Sequence, residues 1–116
     1  MDVYHIFARL KPGVRDIAFV DAVHAYLGHL HAEGELAGYR IMRRKLGLGP
    51  SALHEWHLML EFDSMVQIDE AFHVVARRSA EIEALHHAVN SKVADVTFAL
   101  YRDFPDHGRV RGDERF

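Results

Sequence analysis

The stretch LHEWHLMLEF, residues 53 to 62, concentrates side chains that can move protons or hold metals. His54-Glu55-Trp56-His57 stands one residue short of the H-E-x-x-H pattern, in which two histidines four apart on a helix bind zinc beside a general-base glutamate. The spacing here is three, and turn and cap signals bound residues 54 to 63 at strand length. On a strand, residues three apart face opposite ways, so His54 and His57 are not expected to share a metal. What remains open to His57 is acid/base chemistry with a histidine from another strand, and His5 is the candidate. Imidazole titrates near neutral pH, and the chain carries ten histidines.

The elements that must position these groups follow from periodicity. Residues 2 to 10 alternate and run into Lys11-Pro12-Gly13, a turn signal, which predicts the first strand. Residues 15 to 33 place Phe19, Val20, Val23, Tyr26, Leu27 and Leu30 on one face of a helix. A basic second strand is expected over 38 to 46, then a Gly-rich turn, then the third strand over 54 to 63. Ser64 with Gln67 three residues on is a capping box. The helix it opens carries Ile68, Phe72, Val75, Ile82 and Val89, with Ser79 as the small member of the stripe. A last strand spans 92 to 103.

The resulting β-α-β-β-α-β order predicts an α+β ferredoxin-like domain over residues 1–104. It implies a four-stranded antiparallel sheet whose central strands 1 and 3 run parallel, with both helices on one face. Residues 105–116 form a polar tail without period, expected to be a flexible arm. Laying strands 1 and 3 in parallel with His5 beside His57 brings Phe7 beside Met59 and Arg9 beside Glu61. The face that carries them, with Val3, Ala99 and Tyr101, would be an exposed apolar sheet in a monomer. A homodimer packed through that open face, enclosing a barrel-like interior, is therefore expected.

Composition narrows the function classes. A formal net charge of −3 argues against a broad nucleic-acid footprint, and the cluster Arg40, Arg43, Arg44, Lys45 reads as a solvated edge strand. No apolar run approaches the ~20 residues that span a bilayer, and the N-terminus lacks a signal-peptide pattern, so no membrane association and a cytoplasmic address are expected. With no cysteine, thiolate chemistry is excluded. His57 and Glu61 lie roughly 13 Å apart along a strand, so no metal or other cofactor is expected.

Val3-Tyr4-His5-Ile6-Phe7 through Leu10-Lys11-Pro12-Gly13, and Trp56-His57-Leu58-Met59-Leu60-Glu61-Phe62 with Asp63-Ser64 after it, resemble the stress-responsive A/B barrel (Dabb) family of the dimeric α+β barrel superfamily. The resemblance spans residues 2 to 104 in element order. It implies a dimeric α+β barrel. In a plant polyketide cyclase of that family, histidines on the first and third strands line the pocket, and the matching positions here are His5 and His57. That cyclase also uses a His-Pro-x-His segment, which this chain lacks; His73 and His86 are the candidates to stand in for it.

Two functional readings follow. In the first, the barrel interior binds or transforms a small aromatic or polyketide-like ligand, without a cofactor. His5 and His57 would then be the catalytic acid/base pair, with Arg9, Phe7, Met59, Glu61 and Tyr101 as ligand contacts. In the alternative, the protein is a non-catalytic, stress-responsive dimeric module with a filled interior. The histidines would then be hydrogen-bonded interface residues, and Arg9 and Glu61 an interior salt bridge.

Overall fold

The structure is a computed structural model describing residues 1–106 and 108–112. Its elements in chain order are β1 (Asp2–Leu10), α1 (Asp16–Ala32), β2 (Gly38–Arg43), β3 (Trp56–Phe62), α2 (Met65–Ala76), α3 (Ala80–Asn90) and β4 (Val93–Arg102). The strands form one sheet in the order β2-β3-β1-β4. Phe19, Val23, Leu27 and Leu30 of α1 are buried against the inward residues of β3, Trp56, Leu58, Leu60 and Phe62, as the two periodicities require.

Local chemistry sets the element ends. After α1, Gly34 takes φ +77; its N–H donates to the His31 carbonyl and that of Glu35 to Leu30, a Schellman closure that suits glycine. At the start of α2 the Ser64 hydroxyl accepts from the Gln67 N–H at 3.3 Å. The Gln67 amide in turn accepts from the Asp63 N–H and donates to the Gly34 carbonyl, tying the two helix ends together. The Ser64 half of the expected capping box is thus present, while the Gln67 side chain reaches one residue further back, to Asp63, and also makes a tertiary contact. Asp2, the buried carboxylate, accepts from Arg102 Nε at 2.5 Å, which locks the start of β1 to the end of β4.

Three expectations are corrected. The central strands β1 and β3 are antiparallel. The crossover through α1 brings β2 back parallel to β1, and β3 reverses from β2 before inserting between them, so it must oppose both. The second helix is two helices. Arg78 adopts φ +52, which stops α2, and Ser79 opens α3 in a new direction. α3 then packs on α1 while α2 packs on β3. Finally, strand three begins at Trp56, so His54 lies in the preceding loop. The expected tail falls partly outside the described residues; within them, the Arg109 guanidinium lies 4.3 Å from the Phe104 ring.

Phe19 is fully buried with its ring edge-on to Trp56 at 5.2 Å, so it joins α1 to the sheet. Phe19→Ala is expected to lower the unfolding free energy by about 3–5 kcal/mol in urea denaturation. Val66→Ala, at a position 67% exposed, should change it by less than about 0.5 kcal/mol. A loss below about 1 kcal/mol for Phe19→Ala would refute this placement of the core.

Candidate functional site

The antiparallel register rearranges the rungs expected on the open face. His5 stands opposite Met59 and Phe7 opposite His57. The two histidines are diagonal neighbours, a separation that rings can bridge, and His5 Nδ1 lies 2.9 Å from His57 Nε2. One ring nitrogen must donate its proton and the other accept. The His57 ring stacks on Phe7 with centroids 4.3 Å apart, and Tyr101 meets His5 edge-on at 5.1 Å. Burial, and after it the neighbouring His5, push the His57 pKa below the ordinary histidine value of 6.5. His5, Phe7, His57, Met59 and Tyr101 therefore lie together as expected.

Arg9 and Glu61 do not. Glu61 stands opposite Val3, and Arg9 lies six residues further along β1, about 20 Å away at strand spacing. Arg9 is paired with Asp95 of β4 instead, its Nε donating at 2.7 Å. The expected Arg9–Glu61 salt bridge depended on the parallel register and fails with it.

His54 and His57 were expected on opposite faces. Because β3 starts after His54, alternation does not govern that residue. Both histidines line one shallow pocket of about 210 Å³, with Phe7, Met42, Leu48 and Leu53. Among the described residues, no three His, Asp or Glu side chains gather as a set of metal ligands.

A different space, of about 400 Å³, lies on the other side of the sheet, between it and the three helices. Its walls are mostly carbon: Ile6, Ala8 and Leu58 from the sheet, Val23 and Leu27 from α1, Val75 and Val89 from the second half. A β-bulge between Arg9 and Leu10 in the β1–β4 pairing lets both Val93 and Val96 reach it, which strict alternation forbids. Phe72 and Phe98, 50% and 54% exposed, flank Tyr4 and form the open side.

Apart from the Tyr4 phenol on β1, the polar groups of this cavity come from helices. Tyr26 of α1 and His86 of α3 have ring centroids 5.4 Å apart, and Asn90 lies one turn beyond His86. Burial, with the Glu83 carboxylate second, pushes the Tyr26 pKa up to about 12, so its phenol is a hydrogen-bond donor at any ordinary pH. His86 is thus the candidate histidine that reaches the cavity, whereas His73 is exposed and turns back to the Asp69 carbonyl at 2.7 Å. A signal for His86 was present in sequence: it sits four residues after Ile82 and three before Val89, on the apolar stripe itself.

Both faces can be set beside known proteins. A structure of At3g17210 from Arabidopsis thaliana matches with a TM-score of 0.72 and 10% identity, covering 89% of this chain and 95% of that one. HapK from Hahella chejuensis matches at 0.66 and 12% identity, over 95% and 99% of the two chains. A dimeric ferredoxin-like protein of unknown function from Thermobifida fusca matches at 0.59 and 17% identity, over 87% and 90%. At such identities the likeness establishes the ferredoxin-like α+β fold alone. No curated protein matches the chain. A family model does match it, over residues 1–116, and the chain belongs to that family, the family of unknown function DUF6614.

Proposed function

We propose that this protein is a homodimer of Dabb-like α+β barrel type that binds a small, largely apolar aromatic or polyketide-like molecule in the cavity between its helices and sheet. The observation that carries the reading is the cavity: about 400 Å³, within the usual ligand-site range, carbon-lined, with Tyr26 and His86 converging in it. A protonated Tyr26 hydroxyl is suited to donate to a ligand carbonyl or phenol oxygen and to stabilise charge that develops there. His86 is the nearby group able to take a proton from the ligand, so enolisation or aldol-type cyclisation is the chemistry the pair fits.

The homodimer is supported by the open sheet face, where Val3, Phe7, Met42, Met59, Ala99 and Tyr101 have no helix above them. The dimeric ferredoxin-like neighbour from Thermobifida fusca supports the same assembly. On that face the stacked His5, Phe7, His57 and Tyr101 rings occupy the centre, which suits an interface better than a chamber.

A second reading keeps His5 and His57 as the acid/base pair. It draws on their 2.9 Å contact and on the 210 Å³ pocket beside His57. The sheet separates that pair from the larger cavity, so the two readings predict different mutants.

Sedimentation at micromolar concentration should give a particle of twice the 13.3 kDa chain mass; a monomer removes the dimer. In a thermal-shift screen of aromatic and polyketide-like acids, a ligand should raise the melting temperature of the wild type and of His57→Ala but not of Val89→Phe, which fills the cavity. His86→Ala should weaken the shift by roughly tenfold in ligand concentration, the scale of one hydrogen bond. A shift kept in Val89→Phe and lost in His57→Ala would favour the open-face reading, and no shift with any ligand would remove the binding function.

A further inference from the structure

The cavity leaves the His5–His57 pair without a role, and that pair has the chemistry of a proton-sensitive contact. Its 2.9 Å approach requires one nitrogen to offer a lone pair. Two neutral rings satisfy this, and so does a singly protonated pair. Two imidazoliums do not: both facing nitrogens then carry protons, and two positive charges meet at hydrogen-bond distance.

The other charges on this face sharpen the response. On the four strands it carries Arg9 and Arg40 against Glu61 and Asp95, so the fixed charges cancel. Arg9 is taken up by Asp95. Glu61 stands one diagonal from His5, and Arg40 one diagonal from His57. Tyr101 presents its ring edge to His5, and His54, Glu55, Arg43 and Arg44 stand beside His57 at the end of the face, Glu55 paired with Arg43 and Arg44 donating to the Pro50 and Leu53 carbonyls. Full protonation of the pair thus adds two positive charges to this face, and a sheet-to-sheet dimer sets two such faces against each other.

We propose that the His5–His57 pair is a proton-operated latch on dimer assembly: with the pair neutral the open faces stay together, and acidification through the histidine range separates them. This rests on the homodimer reading above. The free chain leaves His57 only half-buried, and a second sheet over it removes more water from the ring. A group whose pKa is lower in the assembled dimer than in the free chain contributes stability to assembly above its free-chain value, which for His57 already lies below the ordinary 6.5, and that contribution is lost as pH falls through the lower value. Dissociation therefore takes up protons, and Kd rises by as much as roughly tenfold per pH unit for each proton gained.

The test is sedimentation equilibrium from pH 7.5 to 5.5 on wild type and on the double variant His5→Gln, His57→Gln. The wild-type Kd should rise at least about tenfold over that range, and the variant should stay dimeric with a Kd changing less than about threefold. A wild-type dimer whose Kd does not respond to pH overturns the latch alone, as does an equal rise in the variant. A wild type monomeric at both ends overturns the dimer reading and the latch together. Should the variant fail to fold, NMR titration of the wild-type histidine rings decides: the latch requires the His57 midpoint to lie lower in the dimer than in diluted monomer, and equal midpoints overturn it.

Discussion

The insertion of β3 between β1 and β2 sets the rest of the molecule. A strand threaded between two parallel strands joined by a helix has to oppose both, and a right-handed crossover leaves every helix on one side. The sheet therefore has a covered face and a bare one. On the covered face Trp56, Leu58, Leu60 and Phe62 meet α1, and on the bare face His57, Met59 and Glu61 meet nothing within the chain's helices. The same constraint decides which bare-face residues become neighbours: His5 with His57 on a diagonal, Arg9 with Asp95, and Arg9 far from Glu61.

On the covered face the second helical segment is divided at Arg78. The left-handed residue at 78 lets α2 stay on β3 while α3 turns onto α1. The cavity lies between these helices and the sheet. His86 on α3 comes to face Tyr26 on α1 across it, and the bulge in the β1–β4 pairing turns Val93 inward as a wall.

Much of this was legible beforehand. Alternation sorted β1, β3 and most of β4 into their two faces correctly, because period two is a property of the extended backbone and needs no partner. The Ser64 cap, the α1 stripe and the turn at Gly13 likewise followed from local chemistry. The proximity of His5 and His57 was anticipated through a wrong register: the parallel arrangement set them side by side, and the antiparallel one brings them together diagonally because imidazoles are long enough to bridge that gap. Arg9 and Glu61, tied to the same register, were not so placed. His86 went unselected between its alternatives because a histidine on an apolar stripe looks alike whether the space beyond it is filled or empty.

By itself, the sequence determined the faces: which side chains of each strand look the same way, where α1 and α2 begin, and that one side of the sheet would be rich in apolar groups and histidine. These are consequences of backbone geometry acting over a few residues. Strand direction, the partner of Arg9, the break at Arg78 and the position of the cavity were decided only by tertiary structure. Each depends on segments far apart in the chain competing for the same neighbour, and a periodicity of two or 3.6 residues carries no record of that competition.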